Sequence, residues 1–347
     1  MATYSITIEP TRHQFTASDD QNLLDAALAA GIVLPYSCRA GACSSCKGKV
    51  LEGKFDAGLA PAQVLQAEEL EQGFTLLCQA YPLSDMVIES REVRLASDIQ
   101  IRKLPARVTR IHMAVPDVAI LTLQLPSSET FRFYAGQYVE VILKDGSRRS
   151  YSMANSPNQA AALELHVRHM PGGLFTDHVF GAGTTQMKER EIMRLEGPFG
   201  SFFLREESEK PIVFLASGTG FAPIKAIIEH MIEQNIDRPA VLYWGGRRPQ
   251  DLYMDDLARG WEQQLPRFEY VPVVSDALTE DGWSGRTGFV HKAVMDDMPD
   301  LSGHEVYACG APIVVESARR EFVSDRGLPE NAFFADAFTS AADSAKS

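Results

Sequence analysis

Three cysteines fall within nine residues of the stretch SCRAGACSSCKGKV, at positions 38, 43 and 46, and a fourth, Cys78, follows after a gap of 31 residues. The residues between the first three are mostly small: Ala40, Gly41, Ala42, Ser44 and Ser45. Thiols this close in a chain with no sign of export point to metal binding or catalysis before disulfides. The fold is constrained accordingly. A later element must return Cys78 to the loop, and backbone at Gly41 and Ala42 must approach whatever the thiols hold.

The spacing Cys38-x4-Cys43-x2-Cys46…Cys78 is that of a plant-type [2Fe–2S] cluster, with all four cysteines as ligands. Structural zinc also takes four thiolates and stands as the alternative, although its usual signature is two short-spaced pairs. A bare loop lets backbone N–H groups reach the sulfurs and tune the potential.

Charge excludes some partners. The chain of 347 residues carries a formal net charge of −13, which disfavours nucleic acid and anionic membrane surfaces. Residues 1–92 hold 12 acidic and 6 basic side chains, a net of −6, so nearly half the excess sits in a quarter of the chain. That is either a solvated face or a docking surface for a basic partner. No run reaches the roughly 18 apolar residues of a membrane span. The opening MATYSITIEP alternates like a strand and lacks a signal-peptide core. The expectation is a cytoplasmic monomer.

Three textures follow one another. Residues 1–92 form a β-rich unit: strands at YSITIEP and HQFTA, then a helix in NLLDAALAAG. Asp19 or Asp20 is the expected helix cap and Gly31 its stop. Further strands are GKVLEGKF, a segment carrying Cys78, and a closing strand at DMVIES. Residues 93–104 read as a linker. Residues 105–205 hold six short strands with regular turn signals, as in an antiparallel barrel. From 206 to 338, continuous apolar runs (PIVFLAS, AVLYWGG, FEYVPVVS, EVYACG) alternate with helical stretches, as in a parallel α/β domain. Residues 339–347, TSAADSAKS, read as a disordered tail.

Short motifs punctuate the second and third units. Arg149-Ser150-Tyr151-Ser152 ends a predicted strand, and HVRHMPGGLFTDHV places Gly172 and Gly173 before a helix start, where free N–H groups suit phosphate. FLASGTGFAPI sets Gly218, Thr219, Gly220 and Pro223 between a buried strand and a helix. Pro223 replaces the third glycine of the dinucleotide fingerprint, so this is a different nucleotide turn. YACGAP carries Cys309, which the four-thiol set does not use. His166, His169 and His178 lack a matching ligand set and read as ordinary polar residues.

LPYSCRAGACSSCKGKVLEG with LLCQAYP resembles plant-type ferredoxins, and R-x-Y-S with G-x-G-x-x-P resembles the ferredoxin–NADP reductase superfamily. The whole chain resembles an iron–sulfur flavoprotein reductase, of the kind that serves bacterial ring-oxidising oxygenases or that reduces CDP-6-deoxy-glucoseen. The resemblance implies a β-grasp ferredoxin domain, a flavin-binding barrel and a nicotinamide-binding α/β domain. It implies that Arg149 meets the FAD diphosphate, Tyr151 stacks on the isoalloxazine and Ser152 donates to N5. Arg168, Gly173, Leu174 and Thr176 match the second flavin motif. Cys309 and Gly310 would lie beside the nicotinamide. Phe338 would cover the flavin face, while Phe333 and Phe334 pack in the core. Arg247 or Arg248 could take a 2′-phosphate and favour NADPH, but GGRRPQDLY is closer to the NADH-using members. The implied route runs from NADH to FAD to [2Fe–2S] and then to a separate protein, an oxygenase component or an iron–sulfur dehydratase. A stand-alone flavin reductase or a non-enzymatic redox sensor are the remaining readings.

Overall fold

The computed structural model describes all residues except 63, 91, 96–98, 129, 160, 161 and 339–347. The expected tail therefore lies outside the described residues.

In the first unit, alternation along Thr3–Glu9 buries Ile6 and Ile8 completely. This strand pairs antiparallel with His13–Ser18 and parallel with Met86–Glu89. Lys47–Glu52 and Phe74–Leu76 complete a five-stranded sheet. The Leu23–Ala29 helix buries Leu23, Leu24, Ala26 and Ala27, and the arrangement is a β-grasp. The helix cap is Asn22, not Asp19 or Asp20: its side-chain oxygen accepts the Asp25 N–H at 2.8 Å. The two aspartates are engaged just before it, with Ala2 N–H and the Ser18 hydroxyl. Gly31, at φ 75°, supplies the left-handed residue after the helix end.

Segment 93–104 is not plain linker. Arg94–Leu95 pairs with Ile32–Val33, and the 14-residue strand Arg102–Val115 begins before the segment ends. That strand belongs to a six-stranded antiparallel sheet. Its order is Arg148–Ser152, Tyr138–Ile142, Ile192–Phe199, Arg102–Val115, Val118–Gln124 and Ala162–Arg168. A bridge from Met153 to Leu165 joins the last strand to the first and closes a barrel around Val139, Leu121, Leu163 and Leu195.

The third unit is a six-stranded, all-parallel sheet. Its order is Arg286–Thr287, Phe268–Val274, Ala240–Gly246, Ile212–Ser217, Glu305–Gly310 and Phe333–Ala337. The strands are unbroken apolar runs because helices cover both faces. Strand order reverses between Ile212–Ser217 and Glu305–Gly310. A crevice at the carboxyl ends of these strands is where such sheets take ligands. Among the described residues, no helix is long and apolar enough to cross a membrane.

Candidate functional site

The four thiols meet as the spacing requires, although Cys78 lies in a turn rather than in a strand. The Phe74–Leu76 strand ends first, and the Gln79 and Ala80 N–H groups both turn back to the Leu76 carbonyl. The cysteines come as two pairs. Cys46 Sγ lies 3.2 Å from Cys78 Sγ, and the Cys38 N–H reaches Cys43 Sγ at 3.5 Å. Two pairs of thiols fit two irons better than one tetrahedral zinc. The Ala40 and Ala42 N–H groups point at Cys38 Sγ, at 3.4 and 3.3 Å. Gly41, at φ 76°, turns the backbone between them; a β-carbon there would press on the Gln79 side chain at 3.2 Å. The residues present therefore fit a [2Fe–2S] cluster.

The loop has two sides. Cys43, Ser44, Ser45 and Cys46 are buried, and Cys43 packs in one apolar cluster with Ala335 and Ala337 of the parallel sheet. The Ser45 hydroxyl donates to the Ala335 carbonyl at 2.8 Å, along the outermost strand of that sheet. The other side opens to a cleft of ≈ 460 Å³ lined by Asp25, Arg39, Cys78, Glu140, Arg148 and Phe199.

In the barrel, Arg149, Tyr151 and Ser152 lie on one strand. Arg149 is half-buried, with Nη1 donating to the Arg148 carbonyl at 2.7 Å. The Tyr151 ring leans on Phe175 at 5.2 Å, and burial pushes its phenol upward. Gly173 caps the short Leu174–Phe180 helix in a tight turn: a β-carbon there would stand 2.6 Å from Thr176 Oγ1. Thr176 Oγ1 in turn donates to the Met170 carbonyl at 2.8 Å. Leu174 beside it is 62 % exposed, an apolar residue left for something to cover. This cradle fits FAD. His169 and His178 pair with Asp177 and Glu191 as ordinary polar residues do, whereas His166 is buried between Glu164 and Tyr253 of the next domain.

In the parallel sheet, Gly218, Thr219 and Gly220 form a single 3₁₀ turn that runs directly into the Phe221–Gln234 helix, with Pro223 buried in its first turn. A β-carbon at Gly310 would stand 2.5 Å from the Ser217 carbonyl, so the two strand ends touch. Arg168 reaches over from the barrel, held by Asp117 at 3.0 Å and Asp251 at 3.1 Å, and its Nη1 abuts Gly218. Cys309 is fully buried; burial and the nearby Asp336 charge push its thiol well up, so it stays protonated. The Phe338 N–H donates to the Gly310 carbonyl at 2.8 Å, which sets this half-buried ring beside the same turn. Phe333 is core, and Phe334 stacks on Tyr307 at 4.8 Å. Past the next strand, Arg248 is gripped by Asp281 while Arg247 is exposed.

One residue that the sequence reading missed joins all of these. Asp336 stands opposite Cys309 in the strand register and is 5 % exposed. It accepts hydrogen bonds from the hydroxyls of Ser37, next to the first cluster cysteine, and Ser152, at 3.3 Å. Burial pushes its carboxyl up to about 6, against the pull of those two hydroxyls. Its only sequence signal is one acid within the apolar FFADAF.

The four-thiol loop and the flavin-motif strand meet at one carboxylate, beside the strand that ends at the nucleotide turn, and this combination is that of an electron-transfer flavoprotein. Residues 6–83 match the 2Fe-2S iron-sulfur cluster binding domain, 105–204 the oxidoreductase FAD-binding domain and 214–320 the oxidoreductase NAD-binding domain. The chain is 40% identical over 334 residues to CDP-6-deoxy-L-threo-D-glycero-4-hexulose-3-dehydrase reductase of Yersinia pseudotuberculosis, covering 96% of this chain and 98% of that one. It is 37% identical over 339 residues to terephthalate 1,2-dioxygenase reductase component 2 of Comamonas sp, covering 96% and 97%. Among solved structures, an Amycolatopsis cytochrome P450 reductase superposes with TM-score 0.76 at 33% identity, covering 97% and 99%. The chain belongs to the family of iron–sulfur flavoprotein reductases: it is an FAD-dependent NAD(P)H oxidoreductase with a [2Fe–2S] domain.

Proposed function

We propose that this reductase draws on NADH and delivers electrons singly to a separate protein, an oxygenase component. The observation that supports the reading is the meeting of the Ser37–Cys46 loop, Ser152 and Cys309 at Asp336, since the residues we assign to donor, relay and exit are then neighbours. FAD, when bound, supplies the conversion of a two-electron hydride into single electrons. The chain's own residues hold and orient. Arg149 offers a planar cation to the diphosphate. Tyr151 gives a flat face, and Ser152 a hydroxyl whose single proton, shared with Asp336 at 3.3 Å in this structure, would turn to the flavin when FAD binds. Gly218 and Gly220 let backbone approach the dinucleotide, while Cys309 and Gly310 shape the floor beneath the nicotinamide. Phe338 covers the flavin until the nicotinamide enters.

The NADH preference is supported by Arg248. Its guanidinium makes two hydrogen bonds to Asp281, at 2.9 and 2.7 Å, which a 2′-phosphate would have to displace. The cleft at Cys78 is the side left open to a partner.

A second reading, a dehydrase as acceptor, is favoured by the higher identity to the hexulose-dehydrase reductase, 40% against 37%. Anaerobic NADH should bleach both flavin and cluster absorbance in the purified protein. Cys43→Ser should keep flavin bleaching but lose most cytochrome c reduction; full cytochrome c activity in that variant would refute the cluster as exit. Reconstitution with an oxygenase component and, separately, with a hexulose dehydrase decides between the acceptors.

A further inference from the structure

Ser37 is gripped from two domains at once. Its hydroxyl donates to Asp336 Oδ1 of the parallel sheet, and its carbonyl accepts from Tyr138 Oη of the barrel at 3.1 Å. The residue before it is stitched down as well: the Tyr36 N–H donates to Ser201 Oγ at 2.8 Å, and the Tyr36 carbonyl accepts the Ser201 N–H at 2.8 Å. Ser37 is 1 % exposed and Asp336 5 %, so these bonds are shielded from water, where an unmade bond costs most. The next residue is Cys38. Asp336 Oδ2 meanwhile takes the Ser152 hydroxyl. One carboxylate thus ties the start of the cluster loop to the Ser152 hydroxyl, which the proposal above assigns to the flavin.

We propose that the Ser37–Asp336 bond is a positioning latch that fixes the cluster loop against the flavin site, so that loss of the Ser37 hydroxyl slows electron passage from flavin to cluster and leaves hydride delivery to the flavin unchanged. This rests on the reductase reading above. Electron tunnelling weakens steeply with distance, whereas hydride delivery depends on the nicotinamide crevice, which Ser37 does not touch. Loosening one end of a loop therefore acts on the second step.

The test is stopped-flow absorbance of the holoprotein mixed anaerobically with NADH, following flavin and cluster bleaching separately. Ser37→Ala should keep its iron content and its flavin rate, while cluster reduction slows severalfold, because tunnelling falls off steeply as the loop drifts from the flavin. Ser37→Thr, which keeps the hydroxyl, should restore most of the loss. Hydrogen–deuterium exchange of the resting protein supplies a readout independent of turnover: peptides spanning residues 34–42 should exchange faster in Ser37→Ala and as in the parent in Ser37→Thr. If Ser37→Ala does not hold its cluster, Asp336→Asn and Asp336→Ala replace it. Asparagine can still meet both hydroxyls and should retain cluster reduction better than alanine. Unchanged cluster reduction and unchanged exchange in Ser37→Ala would overturn the latch, as would equal slowing of both steps or equal behaviour of the two Asp336 variants. Failure of NADH to bleach the parent's flavin would instead overturn the reductase reading.

Discussion

His166 in the barrel and Tyr253 in the nicotinamide domain share a hydrogen bond of 2.7 Å, from Nδ1 to Oη. The other ring nitrogen faces Glu164 at 2.9 Å. Lys225, on the Phe221–Gln234 helix, reaches Glu164 at 3.1 Å, Glu229 at 2.9 Å and the Ala154 carbonyl at 2.9 Å. A buried polar network therefore crosses the boundary between the two domains, with each member held by at least one other.

This network makes stability fall in acid. Burial pushes the His166 pKa below its usual 6.5, although Glu164 pulls it up. Glu164, against the upward push of burial, is held at about 2 by His166 and Lys225. Unfolding lets both groups bind protons at their ordinary values, so the unfolded state gains as pH drops. Stability contributed by His166 is present above about pH 6.5 and fades below it; that from Glu164 fades from the carboxylate range down toward 2. Melting temperature should be level near neutrality and decline below about pH 6.5. His166→Gln, which does not titrate, should flatten the first part of that decline. An unaltered profile in that variant would exclude His166 as the source.

At Gly220 a β-carbon would stand 2.2 Å from the Cys309 carbonyl oxygen and 2.7 Å from Gly310 Cα. Both obstacles are backbone, so neither can rotate away. Gly220→Ala should cost about 1–3 kcal/mol of stability. It should also raise the KM for NADH, because the displaced turn is the dinucleotide's seat. Thermal melts with NADH titration measure both; an unchanged melting temperature would show that the strand ends have room.

Releasing Arg248 should alter coenzyme choice. Asp281→Asn keeps the volume but removes the charge that holds the guanidinium. The KM for NADPH should drop by about tenfold, the scale of one added charge-assisted contact, with little change for NADH. Isothermal titration with 2′,5′-ADP against 5′-AMP reads the same shift without turnover. Equal affinities in parent and variant would mean that Arg248 does not reach the 2′-phosphate.

Arg205 ties the end of the cluster unit to the reductase core. Its guanidinium meets Glu92 at 2.8 Å and the Phe203 carbonyl at 2.6 Å, between the rings of Phe203 and Phe334. Truncating a buried ion partner strands the other charge and typically costs about 3–5 kcal/mol; Glu92 keeps some water contact, so Arg205→Ala should fall near the lower end. Arg205→Lys should recover only part, because ammonium cannot replace the planar fork between two rings. Urea melts of the three proteins should rank parent, lysine, alanine; lysine equal to the parent would reduce the site to a point charge.

Local chemistry made most of the architecture legible in the sequence. The Cys38–Cys46 spacing, the unbroken PIVFLAS and EVYACG runs, and the G-x-G-x-x-P turn each state their geometry within a dozen residues. What escaped is set by distance along the chain. Ser37 and Asp336 are 299 positions apart and Arg248 and Asp281 are 33 apart, and no periodicity links them. Asn22 outcompeted Asp19 and Asp20 as helix cap because it sits one residue before the first turn, where its oxygen meets the Asp25 N–H. Cys78 left its expected strand because the chain must bend after Leu76 to return a thiol to Cys46.

The Phe333–Ala337 strand is the last of its sheet, and the cysteine loop lies against its free side. An open strand border invites pairing with another chain unless something blunts or covers it. The iron–sulfur unit is thus a seal as well as a wire. Cutting the chain before the barrel would bare that strand border, and the shortened reductase would be prone to stick to copies of itself. Fusion of the two halves in one polypeptide keeps that border covered from the moment the chain folds.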